Sequence, residues 1–405
     1  IQVSELQKKS NARWLAAVRG RIMARRFRRV IQVCPTGMTA KKLLLPQCRY
    51  LQAKGYDVSF VFSPGPEAQD LRDLGFGVKE LAITRGRMTP KDMVSILRLA
   101  KHLASLELDV VHTHTDKGGG VGRIAARLAD VPCVIHTVHG FAFGEDQSPA
   151  KYRMYSMMER QLSRYTDVLL SQSSEDVETA KRLKIRAKAG YPIWIGNGVD
   201  VELFDKSRFT IREQSELRAM LHAGSEPVIT IVARLTFQKG YRELIEALAA
   251  CVDLPWVALF VGRDDNDGPA IRQLLVECGI THRVRLLGDR DDIPLLLAVS
   301  DLFVLPSYTE GVPRSVIEAQ SMGLPAVVTD VRGCREVVVH QQTGLIVKPK
   351  DPLGLANALR MMLQDPVLRS KCGDNGCSRA RQLFSEHLVF ERIASAYEIG
   401  EQIAG

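Results

Sequence analysis

Nothing in these 405 residues approaches the ~18 uninterrupted apolar positions that a membrane-spanning helix requires, so no such span is expected. The cysteines at 34, 48, 133, 251, 278, 334, 372 and 377 lack metal-like pairing. Most sit in apolar stretches, where the expectation is buried, reduced thiols in a cytosolic protein. No internal repeat or low-complexity tract appears. Net charge is scarce once its location is considered. The formal total is +9, but residues 1–29 hold nine cations against one acid, a net of +8 that leaves +1 for the other 376 residues. A near-neutral body argues against a nucleic-acid-binding core, and no nucleic-acid partner is expected. The chain opens on Ile1 and not Met, which leaves a preceding segment open.

What is present is an alternation of strand-like and helix-like stretches in two runs, the pattern of parallel sheets flanked by helices. The first run has Val30–Cys34, Asp57–Phe62, Asp109–His114, Cys133–Val138 and Asp167–Ser171, with helices over Lys41–Lys54, Thr89–Leu106 and Val121–Ala129. The second has Val228–Ala233, Trp256–Val261, Arg283–Leu287, Asp301–Leu305, Pro325–Thr329 and Gly344–Val347. The length suits two α/β domains, because single cores stop growing near ~250–300 residues. The expected division is an arm at 1–28, a domain at 29–199, a second domain at 200–385 and a closing helix at 386–405. A turn is expected at Asn197-Gly198, beside the boundary.

The chemistry concentrates in Pro306-Ser-Tyr-Thr-Glu-Gly-Val-Pro-Arg-Ser-Val-Ile-Glu-Ala-Gln-Ser-Met-Gly-Leu-Pro325. Glu310 falls in the loop at a strand's carboxyl end, where open α/β sheets bind ligands. Pro313 suits the first turn of the following helix, and Glu318 lies within its early turns. Free N–H groups at the helix start can hold an anion. An anion held by N–H groups and a polyhydroxyl group held by carboxylates describe a nucleotide sugar. Arg234 and Lys239, on the loop after the strand Val228–Ala233, add two cations suited to a diphosphate: Arg forks two oxygens and Lys is a mobile point charge.

With these residues in view, the chain resembles the family 4 retaining glycosyltransferases of the GT-B fold. The likeness covers roughly residues 29–400. Glu310-Gly311-Val312-Pro313, Glu318-Ala319 and Gly323-Leu-Pro325 match the family's E-G-x-P-x-x-x-x-E-A and G-x-P, while Arg234 and Lys239-Gly240 match its paired cations. The resemblance implies two Rossmann-like domains facing across a cleft, the first on the acceptor side and the second binding the nucleotide sugar, with the closing helix returning to the first. It implies that Glu310 contacts donor-sugar hydroxyls and that Glu318 accepts from the ribose. Backbone around Gly311 and Val312 would meet sugar or phosphate, and Arg234 and Lys239 would stabilise the leaving diphosphate in place of a metal. His139, at the end of Cys133–Val138, resembles the family's strand-end histidine and joins Glu310, Arg234 and Lys239 as a catalytic candidate. His136 is expected to be structural.

The acceptor-side candidates are weaker. Pro35–Ala40 corresponds to the family's glycine loop, although only Gly37 stands where relatives carry a pair. His114 ends a strand ahead of Lys117-Gly118-Gly119-Gly120, read as a second loop, and strand alternation is expected to leave only one of His112 and His114 on a given side. Asp264-Asp265-Asn266-Asp267 reads as a solvated turn and helix cap, not a metal site.

The expected activity is metal-independent, retaining transfer of a hexose or N-acetylhexosamine from a nucleoside diphosphate, with a UDP-sugar preferred, to a glycan or lipid-linked acceptor. A sugar-nucleotide epimerase of the same fold and a silent binding subunit are the alternatives. Trp14, Leu15, Val18 and Ile22 share one helical face of the basic arm. Such a segment suits an anionic membrane surface, placing the protein in the cytoplasm or peripherally on the cytoplasmic face of the inner membrane.

Overall fold

The computed structural model describes residues 28–83, 89–90, 92–144 and 147–404. The basic arm, apart from Arg28 and Arg29, lies outside the described residues. The chain divides into two compact units. The first runs to Gln172 and adds Asp176–Ile195 and residues from Phe390 onward; the second holds Ser173–Glu175 and Gly196–Val389.

The first unit is built on β1 (Arg29–Thr36), β2 (Asp57–Ser63), β3 (Gly77–Glu80), β4 (Val110–His114), β5 (Cys133–Val138), β6 (Val168–Ser171) and β7 (Ile193–Trp194). They form one parallel sheet in the order β3-β2-β1-β4-β5-β6-β7. The second unit repeats the plan with β8 (Val228–Val232), β9 (Val257–Val261), β10 (Val284–Gly288), β11 (Leu302–Leu305), β12 (Ala326–Thr329) and β13 (Gly344–Val347), ordered β10-β9-β8-β11-β12-β13. In the second unit the central strands read as nearly continuous apolar runs because helices cover both faces. Val257, Leu259 and Val261 pack with Leu217, Leu296 and Val299 on one side, while Phe260, pointing the other way, meets the Tyr241 ring edge-on. In both sheets the order reverses beside the first strand, between β1 and β4 and between β8 and β11. Ligand sites of open α/β sheets form at that switch point.

β3 and β7 are absent from the sequence reading. β7 has only two residues, and β3 carries a single apolar side chain, Val78, among its four, so neither shows a hydrophobic run. Lys117–Gly120 is no loop: it opens the helix Asp116–Leu128, and its glycines serve close packing. A Cβ at Gly119 would lie 2.3 Å from the His136 ring, and one at Gly122 would lie 2.6 Å from the Thr113 methyl. Pro35–Ala40 likewise forms no open loop, because β1 runs to Thr36 and a helical turn follows at once. Asn197-Gly198 is not a turn. Val199 exchanges backbone bonds with Phe384 and Glu386, and Gly198 is needed because a Cβ would come within 2.7 Å of the Glu386 Cα.

The last helix, Glu386–Ala404, packs its later residues in the first unit. Phe390 sits 5.6 Å from Tyr50, and Tyr397 sits 5.4 Å from Tyr56, measured between ring centroids. All eight cysteines are free, and six are buried. Among the described residues no helix is long and apolar enough to cross a membrane.

Candidate functional site

In the second unit, two loops meet at the switch point. The loop after β8 closes in a tight turn over Phe237–Lys239, and Gly240 leaves it with φ +77°. A Cβ at Gly240 would lie 2.0 Å from the Pro306 carbonyl oxygen, so only glycine lets this turn rest on the loop after β11. The Tyr308 N–H donates to the Gln238 carbonyl at 3.0 Å, pinning the two loops together. The Tyr308 hydroxyl donates to Glu243 at 2.7 Å.

This packing brings Lys239 Nζ to 2.6 Å from Glu310 Oε1. Arg234 is exposed and pairs with Asp265 at 2.7 Å, where Arg263 also arrives at 3.2 Å. The Asp264–Asp267 segment is therefore a turn tied by charge. Asp267 does not cap the next helix with its side chain; its carboxylate accepts from the Phe237 N–H at 2.8 Å and steadies the cation-bearing turn. Among the described residues, no cluster of three or more His, Cys, Asp or Glu could hold a metal ion.

Pro313 stands immediately before the helix Arg314–Ser321 and not in its first turn, with ψ 110°. That extended residue leaves the helix start open. Glu318 is largely buried on this helix, 3.7 Å from Arg314; burial raises its carboxyl above the usual range and Arg314 opposes the rise. The Gly311-Val312 backbone is held from two directions. Asn197 Nδ2 donates to the Val312 carbonyl at 2.7 Å, from a buried side chain. Gly333, at φ +83°, lies so close that a Cβ there would come within 1.2 Å of the Gly311 carbonyl oxygen.

Sequence reasoning missed Asn197, Gly333 and Asp265. Asn197 carried a signal, an Asn-Gly pair, but its reading as a turn hid the side chain's partner. Gly333 is one glycine among 31, and nothing local marks it.

In the first unit, a cavity of about 580 Å³ opens at the other switch point. Pro35 near the end of β1, Thr39 just after it, Thr115 and Asp116 after β4, and Phe141 and Tyr155 line it. Thr115 holds φ +63°, an uncommon conformation for a residue with a Cβ. Gly37 and His114 do not line the cavity. Gly37 is buried against Glu67 and Phe62, and His114 is fully buried. Lys117 is buried in an ion pair with Asp92 at 3.0 Å. Met158 and Leu162, on the helix Pro149–Leu162, also border the cavity, and Met154, Met157 and Met158 leave an apolar face exposed on that helix.

His139 is partly buried and meets His114 Nδ1 through its Nε2 at 3.1 Å. Burial lowers its pKa to about 4, and a hydrogen bond that the charged ring donates to Gln172 acts the other way. His112 and His114 share one side of the sheet, with ring centroids 4.3 Å apart. The expectation that alternation would separate them fails because a period of two places residues i and i+2 on the same face. His136 points to the opposite face and bonds Thr113 at 2.9 Å, a structural role.

Residues 213–379 match the family described as glycosyl transferases group 1, and residues 41–189 match the glycosyl transferase 4-like domain. The chain is 33% identical over 346 residues to the UDP-Gal:alpha-D-GlcNAc-diphosphoundecaprenol alpha-1,3-galactosyltransferase of Escherichia coli, covering 84% of this chain and 88% of that one. It is 30% identical over 353 residues to the N,N'-diacetylbacillosaminyl-diphospho-undecaprenol alpha-1,3-N-acetylgalactosaminyltransferase of Campylobacter jejuni, covering 84% and 91%. Among solved structures, Anabaena HepE in complex with UDP and glucose superposes with a TM-score of 0.78 at 22% identity, over 91% of this chain and 99% of that one.

Proposed function

Because the chain belongs to the family 4 glycosyltransferases of the GT-B fold, we propose that it moves a hexose or N-acetylhexosamine from a UDP-sugar to a lipid-linked glycan, with retention at the anomeric carbon and without a metal. The observation that carries this reading is the Lys239–Glu310 pair at the switch point of the second unit, beside the open helix start at Arg314. A diphosphate accepted by Lys239 and Arg234 frees Glu310 to accept from sugar hydroxyls, and Glu318 takes the ribose. As the C–O bond to the diphosphate breaks, negative charge grows on the leaving oxygen, and the two cations meet it as a divalent metal would. On the same face, the acceptor oxygen bonds the anomeric carbon and its proton passes to the departing phosphate oxygen. His139 is the proposed histidine contact to the donor sugar.

The E. coli relative is named for a UDP-sugar donor and a diphosphoundecaprenol acceptor, and HepE was crystallised with UDP, which together support the choices of donor and acceptor. The cavity of the first unit, bordered by aromatic rings and continuing to exposed methionines, suits an acceptor with an apolar tail. Such an acceptor would place the protein at the cytoplasmic face of the membrane.

The test is transfer of radiolabel from UDP- and GDP-sugars to isoprenoid diphosphate sugars, with EDTA present. Label entering lipid from a UDP-sugar, and lost in Glu310→Gln, is the expected result. A changed sugar without acceptor would make the protein an epimerase, and binding without chemistry a silent subunit. Activity abolished by EDTA would overturn the metal-independent step.

A further inference from the structure

Beneath the last helix, the first sheet carries polar side chains where an apolar layer would be ordinary. Gln32 on β1 is in register with His112 on β4, His114 lies two residues further along β4, and Thr137 on β5 is in register with His114. All four therefore project from one face. All are buried, as is Tyr397, which reaches down from the helix Glu386–Ala404.

Their hydrogen bonds form a single series. His139 Nε2 is 3.1 Å from His114 Nδ1, and His114 Nε2 is 2.7 Å from Gln32 Oε1. Gln32 Nε2 is 3.1 Å from the Tyr397 hydroxyl, which is 2.8 Å from His112 Nδ1; His112 Nε2 is 2.7 Å from Thr137 Oγ1.

The direction of every bond follows from Gln32. Its Oε1 can only accept, so His114 carries its proton on Nε2 and offers Nδ1 as an acceptor. His139 must then donate from Nε2, leaving its own Nδ1 unprotonated, and Gln172, the ring's other partner, must donate to the neutral ring through its amide. On the other side, the Gln32 amide donates to Tyr397, whose hydroxyl hydrogen is left for His112 Nδ1, and His112 donates from Nε2 to Thr137. Each ring is neutral, with one donor and one acceptor nitrogen, as burial requires.

We propose that Tyr397 is a positioning residue for His139, deciding through Gln32 and His114 which ring nitrogen of His139 carries the proton. This rests on reading His139 as a contact to the donor sugar, since its tautomer sets whether Nδ1 accepts from a hydroxyl or donates to one. Removing the Tyr397 hydroxyl leaves the Gln32 amide N–H groups facing no acceptor. A buried N–H without a partner is costlier than an under-used carbonyl. The amide therefore turns over and donates to His114 Nε2. The His114 proton moves to Nδ1, and that of His139 follows from Nε2 to Nδ1.

Side-chain 1H–15N correlation spectra of the full chain, assigned by single histidine substitutions, test this directly. In the unaltered protein, His112, His114 and His139 should all show protonated Nε2 and bare Nδ1. In Tyr397→Phe, the resonances of His114 and His139 should exchange between the two nitrogens. A mixed set in the unaltered protein, or a His139 pattern unmoved in a folded Tyr397→Phe, overturns the proposal. Transfer activity is read separately. Spectra that behave as expected beside undiminished transfer by His139→Ala would leave the hydrogen-bond series standing and remove His139 from the chemistry.

Discussion

Lys239 and Glu310 form an ion pair at 2.6 Å whose side chains keep only 19% and 11% of their surface exposed. Each neutralises the other, and under the proposed function a ligand would supply a phosphate for the ammonium and hydroxyls for the carboxylate. Lys239→Met and Glu310→Gln should each lower kcat by about 10²–10³, the range for removing one transition-state donor. Because each single change also strands the partner, the double variant should fall well short of the product of the two losses. Steady-state kinetics of the four proteins measure this, and multiplicative losses would show two uncoupled residues.

Gly333 and Gly323 separate a backbone effect from a contact. Both have positive φ, +83° and +79°, yet a Cβ at Gly323 meets nothing within 4 Å, whereas one at Gly333 meets the Gly311 carbonyl. Gly323→Ala should cost about 1–2 kcal/mol of stability, the left-handed penalty alone. Gly333→Ala should cost more and should also weaken UDP binding, because the Gly311-Val312 backbone must move. Thermal unfolding and calorimetric titration with UDP read the two effects. Equal losses with equal UDP affinity would detach Gly333 from the site.

Eleven of the thirteen described strands were legible because they are four to eight residues of mostly apolar, often β-branched positions. The motifs of the proposed donor site were legible because Glu310 and Glu318 share one loop–helix junction, after β11, and Arg234 and Lys239 share another, after β8. What could not be read are contacts between segments distant in sequence. Gln32 and Tyr397 are 365 positions apart, and Asn197 and Val312 are 115 apart. Lys117-Gly-Gly-Gly misled for a related reason. Glycine there answers to His136 and to Pro35, and neither is visible in the local pattern.

Acidification should destabilise the first unit. Burial lowers His112 to about 3 and His139 to about 4, and holds His114 and His136 well below their ordinary value. Below pH ~6.5 the unfolded chain takes up protons that the folded one refuses, so stability falls as pH drops toward the folded values. Each such histidine contributes up to ~1.4 kcal/mol per pH unit across that window. The raised carboxyls of Glu318, Glu336 and Glu386 act with the opposite sign. The four histidines should outweigh them between pH 6.5 and 5, lowering the unfolding midpoint. A midpoint that holds or rises over that interval would mean the folded histidines are charged.

The strongest separation of charge in the chain is between residues 1–29, at +8, and the remaining 376, at +1. Trp14, Leu15, Val18, Ile22 and Phe27 accompany those cations. A transferase whose acceptor is held in a bilayer gains from a basic segment next to β1, where each cation near an anionic surface adds about 1 kcal/mol. Attachment of that kind is reversible, depends on anionic lipid and weakens as salt shortens the reach of each charge. The full chain should sediment with phosphatidylglycerol-containing vesicles at low salt, be released at high salt and ignore purely zwitterionic vesicles. A chain beginning at Val30 should stay in the supernatant while transferring sugar to a water-soluble short-chain acceptor at the full rate. If both chains sediment equally, the attachment belongs elsewhere, with the exposed methionines of Pro149–Leu162 the next place to change. If neither sediments, the arm has no affinity for the membrane, and its charge serves solubility or a protein partner.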